Sequence, residues 1–288
     1  MKHDEPSVTA EGVAGLRYAA TLERDPALRG PDAFGRRFLR WSFALLAGPL
    51  RKLTLPYYGR VLPGQYEFIH ARTLFYDQVL RDAVEAGARQ VAIIGAGYDT
   101  RAWRFADLLA KNGVRVIELD HPATQGRKLK RLGASLPPHV SFFAVDLMHM
   151  PLERALELAG FDPKVKSFVL WEGCAMYLNE AAVTATLSTI AKMAKGTTLA
   201  CDLVAASALD GTKEWYGAPE LRAFFARRTE PITWGIEPED VAAYLKKVGL
   251  TQQRLFMAAD AERTYLMPSG GGPARRMSGF NYMVTATV

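Results

Sequence analysis

The chain has little cysteine and no long apolar run. Only Cys174 and Cys201 are cysteines among 288 residues, and neither belongs to a CxxC pair. A zinc site or a redox couple is therefore not expected. The first residues contain no apolar signal-peptide core, and the apolar stretch 43–50 is too short to cross a bilayer. These absences predict a cytoplasmic protein with no membrane partner.

Several catalytic motifs are also missing. The chain has no GxSxG, HExxH or P-loop sequence, which argues against hydrolases and nucleoside triphosphatases. No pair of histidines has metal-ligand spacing, so no metal site is predicted. The net charge is +6, but the 36 basic residues are distributed along the chain among 30 acidic ones. This balance favours an anionic substrate, or a charge without function, over a nucleic-acid partner.

The chain does contain a repeated alternation of apolar strands and amphipathic helices. Such an alternation is typical of a parallel sheet with helices on both faces. Strands are predicted at 91–97, 114–120, 139–146, 167–173 and 197–203, with helices at 101–111, 122–132 and 180–194. A further helix at 238–248 and strands at 250–259 and 280–288 follow. The sequence therefore predicts an α/β fold: a Rossmann-like, mostly parallel sheet closed by a terminal antiparallel hairpin.

Two segments lie outside this alternation. Residues 1–60 hold short helical patterns broken by Pro and Gly, which predict an N-terminal helical cap. A helix at 65–87 then opens the main domain, residues 61–288. Within that domain, residues 205–236 are rich in aromatic and charged side chains and predict a lid-like insertion. Because neither segment has a role in the sheet, both are expected to shape a substrate pocket.

The first strand is followed by a glycine-rich turn that includes Gly95 and Gly97. Glycines let a backbone turn sharply and approach a ligand closely. The dinucleotide-binding pattern GxGxxG would need a third glycine where Thr100 stands. A turn without that glycine suits the methionine part of S-adenosylmethionine (SAM) better than a pyrophosphate, although an ordinary strand-to-helix turn has the same pattern.

Acidic residues end the next three strands. Asp120 lies where a carboxylate can accept hydrogen bonds from ribose hydroxyls, and Glu118 is a weaker candidate for the same role. Asp146, with the backbone of Leu147, suits an adenine ring. Each aspartate could instead cap the following helix. Glu172 follows an apolar strand and needs a cationic partner, such as the amino group of SAM.

Arg72 and the histidines complete the set of candidates. Arg72 lies on the predicted helix before the first strand, where its guanidinium could pair with the carboxylate of SAM or be exposed to solvent. His70, His121 and His149 flank the strand ends. A single histidine is more often structural than catalytic, but His121 remains a candidate base.

The chain resembles the leucine carboxyl methyltransferase family, and in particular its bacterial branch of SAM-dependent methyltransferases. Five motifs carry the resemblance, and their order is more specific than any one of them: ART (71–73), GAGYDTRAWR (95–104), IELDHP (117–122), VDL (145–147) and EGCAMYL (172–178). The resemblance covers about residues 60–205. It implies a class I methyltransferase sheet, SAM as cofactor and S-adenosylhomocysteine as product.

The resemblance also implies a role for each site residue. Arg72 pairs with the SAM carboxylate, Gly95 and Gly97 line the methionine part, Asp120 holds the ribose, Asp146 and Leu147 hold the adenine, Glu172 lies near the amine, and Tyr177 faces the methyl acceptor. The phosphatase-modifying members carry an Arg after the Asp-Leu pair, where this chain has Met148. That departure disfavours a protein carboxylate as acceptor and favours a small molecule, anionic or aromatic.

The expected reaction is methyl transfer to a carboxylate or hydroxyl oxygen. A carboxylate needs no base, whereas a hydroxyl needs a proton acceptor such as His121, His149 or Tyr177. Two other functions remain open. A nicotinamide-dependent oxidoreductase would want the third glycine and a YxxxK pair, but Tyr177 is followed by LNEA. A SAM-binding protein without catalysis would share the same cofactor residues. The oligomeric state is not predicted.

Overall fold

The computed structural model describes residues 7–133, 136–226 and 231–288. It contains one seven-stranded sheet with the strand order β3-β2-β1-β4-β5-β7-β6. The strands are Gln90–Ile94 (β1), Arg115–Asp120 (β2), Val140–Ala144 (β3), Ser167–Trp171 (β4), Thr198–Val204 (β5), Thr251–Phe256 (β6) and Asn281–Thr287 (β7). Strands β1 to β5 are parallel, and β7 is antiparallel to both of its neighbours. The predicted sheet and its terminal hairpin are confirmed.

Helices cover both faces of the sheet. They are Val8–Ala20 (α1), Trp41–Ala47 (α2), Arg51–Val61 (α3), Gln65–Glu85 (α4), Arg101–Arg104 (α5), Ala106–Lys111 (α6), Pro122–Leu132 (α7), Leu152–Leu158 (α8), Glu180–Ile190 (α9), Ala206–Asp210 (α10), Ala218–Phe225 (α11), Val241–Lys247 (α12) and Ala258–Tyr265 (α13). The single helix predicted at 101–111 is two short helices that meet at Phe105.

Burial of the central strands explains their continuous apolar sequences. Every residue of β1 and β4 is buried, because one sheet face packs on α4 and the other on α8 and α9. The largest of these side chains, Trp171, is 1% exposed. Burial of a large apolar side chain contributes about 1.5–3 kcal/mol each. These strands therefore form a rigid centre, and their carboxyl ends meet at one edge.

The first helix packs directly on the glycine-rich turn after β1. Ser7 caps α1 by accepting a hydrogen bond from the Ala10 amide at 3.0 Å. Ala14 of α1 lies in a small apolar cluster with Phe38 and with Tyr98 of the turn. Arg17 donates to the Tyr98 carbonyl at 2.6 Å. The N-terminal helices thus contact the edge where the strand ends converge.

His70 of α4 makes stability depend on pH. It is 4% exposed, neither ring nitrogen has a hydrogen-bond partner among the described residues, and burial lowers its pKa from 6.5 to about 4. Below pH 6.5 the unfolded chain binds a proton that the folded chain binds only near pH 4. The free energy of unfolding therefore decreases as the pH is lowered from 6.5 to 4. We expect a loss of about 2 kcal/mol between pH 7.5 and pH 5 from this group.

Urea denaturation of the wild type and of His70→Leu at both pH values measures this effect. The difference between the two pH values should shrink by about that amount in the variant. An unchanged difference would mean that other groups produce the pH dependence.

Candidate active site

The carboxyl edge of the sheet brings the predicted cofactor residues together. Parallel strands β1, β2, β3 and β4 lie side by side, so the segments that follow them meet at this edge. The glycine turn follows β1, Asp120 ends β2, Asp146 comes two residues after β3, and Glu172 directly follows β4. Arg72 reaches the same edge from α4, where its guanidinium lies 3.0 Å from Glu172.

The glycine turn depends on both glycines. Gly95 and Gly97 have φ values of +66° and +50°, a region that other residues rarely adopt. A Cβ at Gly95 would lie 2.4 Å from the sulfur of Cys174, and one at Gly97 would lie 3.4 Å from Cβ of Ala10. The glycines therefore allow both the turn and the close packing of α1 and the loop after β4.

Asp120 holds this turn in place. Its Oδ2 accepts from the Gly97 amide at 2.8 Å, and its Oδ1 accepts from the His121 amide at 2.7 Å. Burial raises the pKa of the carboxyl group despite these two bonds. Asp120 is not the cap of α7, because His121 is: the His121 Nδ1 accepts from the Ala123 amide at 3.3 Å.

Asp146 lies beside two histidines at the end of β3. Its Oδ1 accepts from the Met148 amide at 2.9 Å, while its Oδ2 lies 3.9 Å from His121 Nε2 and 3.7 Å from His149 Nε2. Leu147 is half-buried and packs on the main apolar cluster. The carboxylate is a quarter exposed, so it can accept a further hydrogen bond.

Arg72 lies between two acidic groups. Its Nε is 3.0 Å from Glu172 Oε1, although the N–H is not aligned for a hydrogen bond, and its Nη1 donates to Asp202 Oδ2 at 2.9 Å. The other Asp202 oxygen accepts from the Gly173 amide at 2.6 Å. Burial of the guanidinium is outweighed by these carboxylates, so the pKa of Arg72 is raised. The alternative of a solvent-exposed arginine is wrong, because Arg72 is 5% exposed.

Further buried ions extend from this pair under the glycine turn. Arg101 donates to Asp77 at 2.9 Å, to Glu172 at 2.9 Å and to Asp99. Arg104 also donates to Asp77. Although burial alone would raise the pKa of Glu172, the Arg101 and Arg72 guanidiniums hold it below its usual value. Glu172 is therefore an anion held between two cations.

Arg17 links this network to the N-terminal helix. It donates to Asp32 at 2.8 Å, and Arg104 lies 3.7 Å from the other oxygen of Asp32. Burial would raise the pKa of Asp32, but these two arginines hold it lower. We name these connected side chains the buried ion network: Arg17, Asp32, Arg72, Asp77, Asp99, Arg101, Arg104, Glu172 and Asp202.

Glu118 pairs with a different partner. It is 1% exposed, its Oε2 accepts from Lys128 at 2.5 Å, and burial raises its pKa to about 7. The Lys128 ammonium also lies 5.3 Å from the centre of the Trp103 ring. The Glu118 side chain is thus paired with Lys128 of α7. Asp120 is the carboxylate of β2 that contacts the glycine turn.

Tyr177 belongs to a short 3₁₀ turn, Ala175–Tyr177, after β4. Its ring centre lies 6.4 Å from that of Phe225 in α11. Thr233 donates from its amide to the Met176 carbonyl at 2.8 Å, so the segment before α12 packs on the same turn. The predicted insertion thus contacts the loop that carries Tyr177. Arg227 and Arg228 of that insertion lie outside the described residues.

The residues present fit SAM. Asp120 and Asp146 retain accepting capacity for the ribose hydroxyls and the adenine amine, and Glu172 is an anion near the turn. The buried Nη2 of Arg101 has no hydrogen-bond partner within the described ranges, which leaves a cationic donor unsatisfied beside Glu172. No group of three or more His, Cys, Asp or Glu side chains suited to a metal ion occurs in the described parts of the chain.

The leucine carboxyl methyltransferase family model matches residues 10–191. The chain belongs to the leucine carboxyl methyltransferase family. Its cofactor is SAM, as the sequence predicted, and its activity is SAM-dependent methyl transfer.

Relatives and solved structures agree with this family. Proteins from Mycobacterium marinum and Mycobacterium tuberculosis H37Rv, whose names class them as SAM-dependent methyltransferases, are 34% and 33% identical to the chain. These matches cover 73% and 83% of the chain, and 68% and 78% of the relatives. A Streptomyces avermitilis protein of the DUF574 family shares the fold with a TM-score of 0.61 at 15% identity, covering 99% of this chain and 98% of that one. A Thermobifida fusca protein described as a methyltransferase gives 0.58 at 17%, covering 99% and 96%.

Sequence reasoning missed part of this leucine carboxyl methyltransferase site. Asp202 is an inner residue of β5 and has no strand-end position to mark it, while Asp77 lies on α4 within a largely apolar pattern. Asp99 and Arg101 stand in the GAGYDTR motif, in which the sequence assigned a role only to the glycines. A charged residue inside an otherwise buried element is the signal that could have identified all four.

Proposed function

We propose that this methyltransferase transfers the methyl group of SAM to an oxygen of a small-molecule acceptor, and that a carboxylate is the favoured nucleophile. The observation that carries the choice of a carboxylate is the position of His121. Because its Nδ1 accepts from the Ala123 amide, the neutral ring carries its proton on Nε2. A protonated nitrogen cannot act as a base, so a hydroxyl acceptor would have to use His149 or Tyr177 instead, whereas a carboxylate acceptor needs no base.

The site residues have separate roles in this proposal. SAM supplies an electrophilic methyl group on a sulfonium. Asp120 accepts from the ribose, Asp146 and Leu147 hold the adenine, Arg72 pairs with the SAM carboxylate, and Glu172 attracts the amine. Gly95 and Gly97 let the backbone lie close to the methionine part. The network under the turn fixes these groups so that donor and acceptor align.

The acceptor pocket is assigned to the cap (1–60) and the insertion (205–236), as the sequence predicts. Two observations support this assignment. Tyr58 of α3 packs on the main apolar cluster, and burial together with the Glu67 carboxylate raises its pKa to about 12, so its phenol stays protonated. Phe225 of α11 packs near Tyr177. These side chains would give the acceptor an apolar, partly aromatic surface, with the Tyr177 and Tyr58 hydroxyls as polar groups.

A SAM-binding protein without catalysis is the second candidate, since it would use the same cofactor residues. Methyl transfer from tritiated SAM to a panel of small carboxylic acids, phenols and alcohols distinguishes the two. A methyl ester releases volatile methanol in mild base, whereas a methyl ether does not. We expect base-labile product, and His121→Gln should retain turnover within a few-fold.

Two other results of these experiments would contradict the proposal. Base-stable product that disappears in His121→Gln would replace the carboxylate with a hydroxyl acceptor and make His121 the base. SAM binding by calorimetry with no product from any acceptor in the panel would favour the non-catalytic alternative.

A further inference from the structure

Helices α2 and α3 expose an unusual number of large apolar side chains. Trp41 is 81% exposed, Leu53 73% and Tyr57 69%, and three leucines are 37–44% exposed. Trp41 and Leu45 are four residues apart in α2, and Leu53 and Tyr57 are four apart in α3, so each pair lies on one face of its helix. We name this surface the α2–α3 face: Trp41, Leu45, Leu46, Leu50, Leu53 and Tyr57.

Residues 33–66, which include α2 and α3, carry the entire net charge of the protein. Residues 33–66 contain six basic side chains and no Asp or Glu. The rest of the chain has 30 basic and 30 acidic residues, so it is neutral overall. Arg36, Arg37, Lys52 and Arg60 are exposed. The apolar surface is therefore accompanied by an excess of positive charge.

A groove of about 480 Å³ lies beside α3. Arg24, Arg51, Lys52 and Arg275 line it together with Leu55 and Pro56. Glu23 and Asp25 also line it, but Glu23 is paired with Arg275 at 2.7 Å and Asp25 with the Ser269 amide at 2.8 Å. The pKa of each carboxyl group is lowered: hydrogen bonds from Ser269 lower that of Asp25, and the Arg275 and Tyr66 bonds outweigh burial at Glu23.

We propose that the α2–α3 face binds the surface of a bilayer that contains anionic lipid. Aliphatic and aromatic side chains would enter the headgroup boundary, the basic side chains would pair with lipid phosphates, and the groove would receive a headgroup. Helices of 7 and 11 residues are too short to cross a bilayer, so they lie on it. The inference does not depend on the identity of the methyl acceptor.

Other occupants fit these observations less well. Phe34 and Phe38, which flank Arg36 and Arg37, are not available to stack on nucleic-acid bases, because Phe38 is fully buried and Phe34 stacks on Trp103 at 5.4 Å. Trp41 and Tyr57 are the exposed aromatics of this surface, and they stand among exposed leucines rather than beside Arg36 and Arg37. Exposed leucines also have no role against a phosphate backbone. A second copy of the chain would bring two positively charged surfaces together.

Co-sedimentation with vesicles tests the proposal. The wild type should bind vesicles of equal parts phosphatidylglycerol and phosphatidylcholine, and bind pure phosphatidylcholine much more weakly. Lys52→Gln/Arg60→Gln should weaken binding about tenfold or more, since each charge contributes about fivefold. Leu53→Ser/Tyr57→Ser should abolish it. Leu158→Ser, at an exposed leucine of α8, is the matched control and should bind as the wild type does.

Trp41 gives an independent signal. Its fluorescence should shift to the blue on addition of anionic vesicles, and Trp41→Phe should lose the shift while circular dichroism confirms folding. Equal binding by the wild type and Leu53→Ser/Tyr57→Ser would overturn the proposal. So would a concentration-dependent dimer in sedimentation velocity that the same double change dissolves, or binding to nucleic acid but not to vesicles.

Discussion

Replacing Arg72 with methionine should lower the free energy of unfolding by about 3–5 kcal/mol and remove methyl transfer. The change removes one of the two cations beside Glu172 and the cation that pairs with Asp202, whose carboxylates lie 3.0 Å and 2.9 Å from Arg72 and are 11% and 0% exposed. Uncompensated buried carboxylates are costly. Urea denaturation measures the free energy of unfolding, and an assay with tritiated SAM measures methyl transfer.

Arg81→Met on the exposed face of the same helix is the control, and it should cost less than about 1 kcal/mol. Arg72→Lys keeps the charge but not the planar fork, so it should recover part of the stability and less of the activity. An Arg72→Met enzyme that unfolds like the wild type would show that the carboxylates are protonated or solvated in solution.

Replacing Asp120 with alanine should weaken SAM binding by about 2–4 kcal/mol, because the two charge-assisted hydrogen bonds that we propose between Asp120 and the ribose would be lost. The structure adds a second effect. The Gly97 and His121 amides, which donate to Asp120, lose their acceptor. The apo protein should therefore also lose about 1–3 kcal/mol for each amide that stays buried.

Calorimetry with SAM and urea denaturation separate the two effects. Asp120→Asn keeps one carboxamide oxygen for the turn, so it should restore stability more than affinity. Asp107→Ala, at an exposed aspartate of α6, should change neither. Unchanged SAM affinity in Asp120→Ala, together with a loss of stability, would reduce Asp120 to a support for the turn.

The fold followed from the sequence because burial on both faces leaves a clear pattern. After the polar residues Gln90 and Ser167 that begin them, β1 and β4 are apolar, and each strand is bounded by glycine or charge. The break between α5 and α6 could not be predicted, since residues 101–111 have no proline or glycine to mark it. Phe105, with φ of −109° and ψ of 19°, ends one helix and starts the next, and its side chain is buried in the core.

The sequence predicted the site residues that lie at strand ends, but the prediction was incomplete for residues elsewhere. Asp120, Asp146 and Glu172 follow strands, so topology alone brings them together. The helix position of Arg72 left its role open between the cofactor and solvent, and the family motif favoured the cofactor, while its partner Asp202 gave no signal. The exposed side chains of α2 and α3 were also unpredictable, because an apolar residue in a helix is normally buried. An apolar run too short to span a bilayer was treated as evidence against a membrane, but adsorption needs no spanning run. None of the helices that the structure describes is long and apolar enough to cross a membrane, and this finding concerns only membrane-spanning helices.

The buried ion network constrains how the protein can change over evolution. Arg101 has three acidic partners and Glu172 has two basic ones, so a change to either charge alters several ion pairs at once. Substitutions there are expected to be strongly epistatic: each is damaging alone and tolerable only beside a compensating one. Divergence in substrate preference is then easiest in helices that the network does not reach, such as α2, α3 and α11. A lineage can thus acquire new acceptors while its cofactor site stays almost frozen.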